Sequence, residues 1–287
     1  MVEGLSTREQ ASLPDVARHG ARVLMAFRRD FEPALWRREA WAQCLAVARG
    51  RRPGYVQGRD HDGLMPASYA PRGTGPHLWL RHGSVDAAVY GEIYVRGAYS
   101  PPWPLPGGLR VLDLGAHVGY FARWALEQWD VCSLTSVEPD ADNYGLLARN
   151  RAALGDVRWT LALGAAGCSE GSAPFAGGRG CGSGLAEDGE DVVRTVDALE
   201  LMGGCDLAKL DVEGGEWALL RDARFPSRAP EFVVVEYHPA EGLVKPYAEA
   251  WRLLEAAGYD VVDGHRETES VGVLWGRQRR GPRADSP

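Results

Sequence analysis

One stretch limits what this chain can fold into more than any other: Val111-Leu112-Asp113-Leu114-Gly115-Ala116-His117-Val118-Gly119-Tyr120-Phe121. An apolar run carrying one acid is followed by two glycines four apart, then by an apolar, helix-compatible run. That order predicts a buried strand, a tight loop and the first turn of a helix. Glycines let a backbone approach a ligand closely, and a helix N-terminus offers unpaired N–H groups. A dinucleotide-binding loop of the form G-x-G-x-x-G seats a pyrophosphate on that terminus. Here Ala116 and His117 follow Gly115, and Asp113 stands at the strand end. A carboxylate there repels a pyrophosphate and attracts the ammonium of a methionine-like moiety. The loop therefore fits S-adenosylmethionine better than NAD, with Asp113, Gly115, Ala116, His117 and Gly119 on the cofactor side.

A second acid lies at a meaningful distance. Ser136-Val137-Glu138-Pro139-Asp140 closes the next apolar run. Glu138 falls about twenty residues beyond Gly119, where nucleotide-binding α/β folds place the carboxylate that accepts from both ribose hydroxyls. Glu138 and the adjoining Pro139 are thus expected at an adenosine ribose. An acid here serves NAD equally, so it supports an adenosine ligand without choosing the cofactor.

Bulk properties narrow the class. The 287 residues hold one large domain or one core with an attachment, and 45% hydrophobic with 25% charged residues is ordinary globular composition. A formal charge of −7 gives no reason to expect nucleic acid or an anionic membrane as partner. Cys44, Cys132, Cys168, Cys181 and Cys205 show no C-x-x-C spacing and read as reduced thiols. No apolar stretch suits a signal peptide or a membrane span, so the expected location is the cytoplasm.

Along the chain, residues 1–75 read as a helical extension and linker, 76–105 as a lead-in or lid, 106–277 as the core and 278–287 as a tail. In the extension Pro33 suits a first helical position and Gly50 a C-terminal stop, with Leu35, Trp36, Cys44, Leu45 and Val47 on the apolar face. From residue 110 strand and helix patterns alternate, as in a parallel sheet covered by helices. The expected strands are 110–114, 132–138, 159–165, 207–212 and 232–237, with a last antiparallel pair near 259–262 and 271–275. The expected helices are 120–128, 141–154, 196–201, 216–222 and 245–257. The Gly-, Ser- and Ala-rich segment 167–189 is expected to be a mobile loop beside the ligand crevice. The N-terminal helices are the candidate surface for a homodimer.

The ordered set of motifs resembles the FkbM-type methyltransferases: V-L-D-L-G-A-H-V-G-Y-F, S-V-E-P-D, T-V-D-A-L (195–199), K-L-D-V-E-G-G-E (209–216) and V-V-E-Y-H-P (234–239), with a lead-in G-S-V-D-A-A-V-Y-G-E-I-Y. The resemblance covers about residues 80–275. It implies an α/β, Rossmann-like class I methyltransferase fold, a seven-stranded and mainly parallel sheet whose final strand is antiparallel. It also implies methyl transfer from S-adenosylmethionine, most often to a hydroxyl of a sugar, polyketide or other secondary metabolite. Where the family's first motif usually carries Asn, this chain has His117.

Methyl transfer from a sulfonium is an in-line displacement, and a hydroxyl acceptor gains from a base that takes its proton. Lys209, Asp211 and Glu213 alternate along the fourth expected strand, and Glu236 and His238 along the fifth, so each set should share a face at the crevice rim. The expected catalytic residues are Glu213 or His238 as base, with Asp211 nearer the cofactor. Ala165 and Tyr99 complete the expected cofactor contacts, Tyr99 and Glu92 as a lid. The plainer alternative pairs Lys209 with Asp211 or Glu236 and leaves Glu216 as a helix cap. No metal is expected; a magnesium ion on Asp211, Glu213, Glu216 and His238 is an alternative that the spacing does not demand. N-methylation on the same fold is a second reading, although Asp211-Val212-Glu213-Gly214 lacks the Pro-Pro-aromatic turn of nucleic-acid amino methylation. An NAD-dependent oxidoreductase is a third.

Overall fold

The computed structural model describes residues 13–48, 66–71, 76–177, 184–185, 189–266 and 268–279. In chain order the extension supplies α1 (Leu13–Asp30), α2 (Pro33–Ala48), β1 (Pro66–Tyr69) and β2 (Leu78–Arg81). The lead-in is α3 (Asp86–Tyr90), which runs into a π-helical turn, Gly91–Arg96. The core follows with β3 (Leu109–Leu114), α4 (Tyr120–Gln128), β4 (Val131–Glu138), α5 (Ala141–Leu154), β5 (Trp159–Leu163), β6 (Ala165–Gly167), β7 (Gly171–Ala176), β8 (Gly184–Leu185) and β9 (Asp191–Asp197). It closes with α6 (Ala198–Met202), β10 (Leu207–Leu210), α7 (Glu216–Arg221), α8 (Phe225–Arg228), β11 (Phe232–Tyr237), α9 (Pro246–Ala256), β12 (Tyr259–Arg266) and β13 (Gly272–Gln278).

The main sheet has seven strands in the order β12-β13-β11-β10-β3-β4-β5, parallel except for β13, which runs antiparallel between β11 and β12. This is the class I methyltransferase arrangement that the resemblance implies. The chain winds from β3 outward through β4 and β5, then crosses back to lay β10 on the other side of β3. The switch point lies between β3 and β10, and open α/β sheets take their ligand in the crevice beyond the carboxyl ends of the strands at such a point.

Burial on both sheet faces explains why these strands read as apolar runs rather than alternations. Val233, Val234 and Val235 are all fully buried. On one face Val111 packs with Phe121, Trp124, Leu146 and Leu147 of α4 and α5, and with Phe27, Phe31 and Leu35 of the extension. On the other, Leu112 and Leu114 pack with Leu199, Met202, Leu219, Leu220 and Leu254 of α6, α7 and α9. The extension thus shares a core with the sheet. Phe27 and Phe31 set their rings 4.8 and 5.9 Å from Tyr90 of α3. Asn150 of α5 ties β2 to the glycine loop, accepting from the Trp79 N–H and donating to the Trp79 and Val118 carbonyls.

Helices α4 and α5 and strand β11 have their expected bounds, and Pro33 begins α2. Other expectations need correction. The strand expected at 159–165 stops at Leu163, and Ala165 belongs to a separate four-stranded sheet ordered β6-β9-β7-β8. Within segment 167–189, β7 pairs antiparallel with β9 and its Phe175 is buried, so that part is not an open loop, while 178–183 and 186–188 lie outside the described residues. The helix expected at 196–201 begins only at Ala198, because Asp197 ends β9 and caps α6 by accepting from the Leu199 and Glu200 amides. Cys44 is exposed, whereas Leu35 is buried as expected. Gly50, most of the expected linker, the tail beyond residue 279 and the side chains of Leu45 and Val47 lie outside the described residues. Among the described residues no helix is long and apolar enough to cross a membrane.

Candidate active site

The loop after β3 is built around backbone that only glycine tolerates. Gly115 has φ +78°, and a Cβ there would stand 1.7 Å from the Asp211 carbonyl oxygen. Gly119 has φ +87°, with Leu147 and Trp159 where a side chain would begin. Between them His117 also adopts a left-handed backbone, φ 51°. The loop amides already have partners: Gly115 and Ala116 donate to the Val137 carbonyl, Gly119 to the Ala116 carbonyl, and His117 to Glu138 Oε2 at 2.7 Å. These N–H groups form no open cradle for a pyrophosphate.

Glu138 ends β4 beside this loop, with Pro139 half-buried next to it. Its Oε1 accepts from the Asp140 amide at 3.0 Å and from Asn143 Nδ2 at 3.4 Å. Burial pushes its carboxyl up to about 8, against the pull of those donors. The His117 ring stands 3.6 Å from Asp86 Oδ1. Asp86 is gripped by Arg81, which also donates to Asn143. Burial works to raise the Asp86 carboxyl, but Arg81 outweighs it and the net direction is down. Asp86 carries no chemical motif of its own; only the lead-in pattern that resembles the family draws attention to it.

Asp113 requires a correction. It does not stand at the crevice mouth: its side chain has no exposed surface, and Ser136 Oγ donates to it at 3.0 Å. Lys209 Nζ lies 3.4 Å from its other oxygen. The register places Lys209, Asp113 and Ser136 side by side on β10, β3 and β4. Trp159 extends the row by donating to Ser136. The charge expected to greet an ammonium from the ligand is therefore answered by an ammonium of the protein. Ala165 is likewise buried, inside the second sheet.

Lys209 joins the two halves of the crevice. Nζ donates to the Gly115 carbonyl at 3.0 Å and pairs with Asp211 at 2.9 Å, under the rings of Tyr99 and Phe121. Burial alone would lower its pKa, but Asp211 and Asp113 more than offset that and keep it charged. The plainer sequence alternative, in which Lys209 pairs with Asp211, is what the structure has.

Beyond Leu210 strand β10 ends, so Asp211 and Glu213 come together by a turn and not by strand alternation. Glu213 and Gly214 both take left-handed backbone, φ 52° and 98°. His238 follows β11 and is buried at 4% exposure. Its Nε2 lies 3.6 Å from Glu213, 3.7 Å from Glu236 and 4.0 Å from Asp211, while Nδ1 meets Glu216 at 3.0 Å. Glu216 opens α7 without a capping bond to it, and its carboxylate instead accepts the Gly214 and His238 amides. The Tyr99 hydroxyl donates to Asp211 at 3.1 Å and bonds to Glu236. Burial, then Asp211 and Glu92, holds the Glu236 carboxyl well above its ordinary range. Burial lowers the His238 imidazolium pKa, but Glu213 and Glu216 reverse that and raise it well above normal. All three expected catalytic residues, Asp211, Glu213 and His238, thus converge, with Tyr99, Glu236 and Glu216 around them.

The methyltransferase FkbM domain matches residues 113–261, a little over half of the chain. The chain belongs to this family. The match begins at Asp113 and spans the glycine loop, Glu138 and the whole acid–imidazole cluster. No curated protein matches the sequence. Among solved structures, methyltransferase FkbM from Methylobacillus flagellatus KT is 18% identical with a TM-score of 0.48, covering 65% of this chain and 47% of its own. This family member thus spans about half the length of that protein. Precorrin-6y C5,15-methyltransferase from Geobacter metallireducens GS-15 is 15% identical, TM-score 0.38, covering 68% and 88% of the two chains. M. jannaschii TYW2, in complex with AdoMet, is 14% identical, TM-score 0.43, covering 74% and 84%.

Proposed function

We propose that this FkbM-family chain transfers the methyl group of S-adenosylmethionine to a hydroxyl of a small molecule, a sugar or a secondary metabolite. One observation carries the reading: the glycine loop and the acid–imidazole cluster meet at a single switch point, Gly115 lying directly against the Asp211 backbone. A cofactor on the loop and an acceptor on the cluster would therefore be neighbours. The loop amides, spent on Val137 and Glu138, favour an adenosyl ligand without a pyrophosphate over NAD. Glu138, which ends β4 beside the loop, is the residue assigned to the ribose hydroxyls in this reading.

The cofactor supplies the reactive methyl group, and the chain supplies alignment and proton transfer. Attack by the acceptor oxygen on the methyl carbon breaks the carbon–sulfur bond and requires the hydroxyl proton to leave. Glu213 is the carboxylate assigned as base: it faces His238 Nε2 at 3.6 Å, whereas Asp211 is tied to Lys209 and Tyr99, and Glu236 bonds Tyr99 with its carboxyl pushed upward by burial. Asp211, tied to Lys209 and Tyr99, aligns the rim. A carboxylate base at this rim favours a hydroxyl over an amine acceptor, whose lone pair needs no base once neutral.

Calorimetric titration with S-adenosylhomocysteine, S-adenosylmethionine and NAD tests the cofactor. The two adenosyl ligands should bind and NAD should not; the reverse sinks the reading. Mass spectrometry against a panel of hydroxylated and aminated acceptors then separates O- from N-methylation, with a mass gain of one methyl group expected only on the former.

A further inference from the structure

We propose that Asp211, Glu213 and His238 form a binding site for a first-row divalent cation at the carboxyl ends of β10 and β11. The inference deepens the methyl-transfer reading of the same rim, where a cation would give the acceptor oxygen a positive partner.

The argument starts from His238. Its ring is enclosed, yet Nε2 makes no hydrogen bond to the carboxylates it faces, which stand at 3.6, 3.7 and 4.0 Å. One donor atom from each of Asp211, Glu213 and His238 lies within 4.8 Å of the others. In an octahedral shell with bonds of about 2.1 Å, donor atoms are separated by about 3 to 4.2 Å, so a small contraction closes the set around an ion. Asp211 divides its oxygens accordingly: Oδ2 serves Lys209 and Tyr99, and Oδ1 faces His238.

The other side of the ring is prepared for this use. Nδ1 meets Glu216, a fully buried carboxylate that also accepts two backbone amides. With Nδ1–H donating to Glu216, Nε2 directs its lone pair or a single proton into the gap. Ligating histidines are oriented by a carboxylate in the same way. An imidazole among the donors suits a first-row ion better than Mg²⁺, which prefers oxygen and water. Glu216 is a positioning residue: it touches the ring, not the ion.

The test uses the full chain, stripped with a chelator and titrated with Mn²⁺ under electron paramagnetic resonance. One Mn²⁺ per chain should bind, and pulsed spectra should show nitrogen coupling from one imidazole. His238→Ala should weaken binding at least about tenfold, and Glu216→Gln about ten- to a hundredfold. Glu255→Gln, at an exposed position on α9, should leave it unchanged. Absence of binding at millimolar Mn²⁺, binding without nitrogen coupling, or wild-type affinity in a folded His238→Ala chain would overturn the proposal. If that variant does not fold, the nitrogen coupling of the wild type decides alone. Calorimetry with S-adenosylhomocysteine on the same preparation keeps the two readings apart. Cofactor binding without Mn²⁺ binding removes only the cation site, whereas Mn²⁺ binding with nitrogen coupling but no cofactor binding keeps the site and removes the methyl-transfer reading.

Discussion

The two rims of the crevice are built by different means. The rim after β3 is a backbone device: two glycines, a left-handed His117 and amides spoken for by Val137 and Glu138. The rim after β10 and β11 is a side-chain device, in which carboxylates, an imidazole and a phenol arrive from the lead-in, two strand ends and a helix. Lys209 is the joint, holding the Gly115 carbonyl on one side and Asp211 on the other. Glu138 apart, a backbone device positions a ligand with little capacity to titrate. A side-chain device can gain or lose charge, as proton transfer requires.

This contrast can be broken most forcefully at Glu213. Glu213→Gln should lower kcat by about 10²–10⁴-fold, the usual contribution of a general base, while the dissociation constant for S-adenosylhomocysteine stays within about twofold. Equal losses in both would mean that the rims are not separate. The joint comes next. Lys209→Met leaves Asp113 buried without its counter-charge and should cost about 3–5 kcal/mol in urea unfolding. Adding Asp113→Asn should return part of that loss, because the uncompensated charge is then gone. Asp113→Asn alone tests whether Asp113 serves the sheet and not the cofactor: it should lower stability more than cofactor affinity.

Glu138→Gln addresses the cofactor rim. Above about pH 8, where its carboxyl is ionised, this variant should weaken S-adenosylhomocysteine by about ten- to a hundredfold if Glu138 accepts from the ribose, with kcat at saturating cofactor little changed. Glu138 also gives the cofactor rim a pH signature. Its carboxyl is pushed up to about 8 by burial, with Asp140 adding to the effect and the amides of His117 and Asp140 opposing it. Between its ordinary value near 4.5 and about 8 the folded chain holds a proton that the unfolded chain has released. Its contribution to stability should therefore fall as pH rises through that window, seen in urea midpoints of wild type against Glu138→Gln. Cofactor affinity should rise over the same window, by up to about tenfold per pH unit if only the carboxylate binds. The smallest effect is expected at Asp140, which caps α5 by accepting from the Asp142 and Asn143 amides. Asp140→Ala should cost about 1 kcal/mol in thermal or urea unfolding.

Local sequence made the backbone rim legible. Val111 to Phe121 encodes strand, turn and helix in consecutive residues, and Gly115 and Gly119 are required by positive φ and close packing. Helices 120–128 and 141–154 and the antiparallel end of the sheet were readable for the same reason, since periodicity and terminating glycines are local signals. The family resemblance also rested on ordered local motifs and agrees with the domain match. Segment 167–189 escaped this reasoning. Its glycines and serines look loop-like, yet β7 finds its hydrogen bonds in β9, which begins some twenty residues after Gly171.

The sequence by itself determined that a strand–loop–helix cofactor unit exists, that an acid follows it at nucleotide-binding distance, and that acids and a histidine end two later strands. Only the tertiary structure decided which charges face inward and meet. Asp113 turned out to be a partner for Lys209 because β10 inserts beside β3 in a register that aligns them. Tyr99 joined Asp211 and Glu236, more than a hundred residues away along the chain, because the lead-in packs over that strand pair. The reason is physical: a backbone conformation is set by a residue and its near neighbours, whereas the worth of a charge is set by whatever the fold brings within a few ångströms of it.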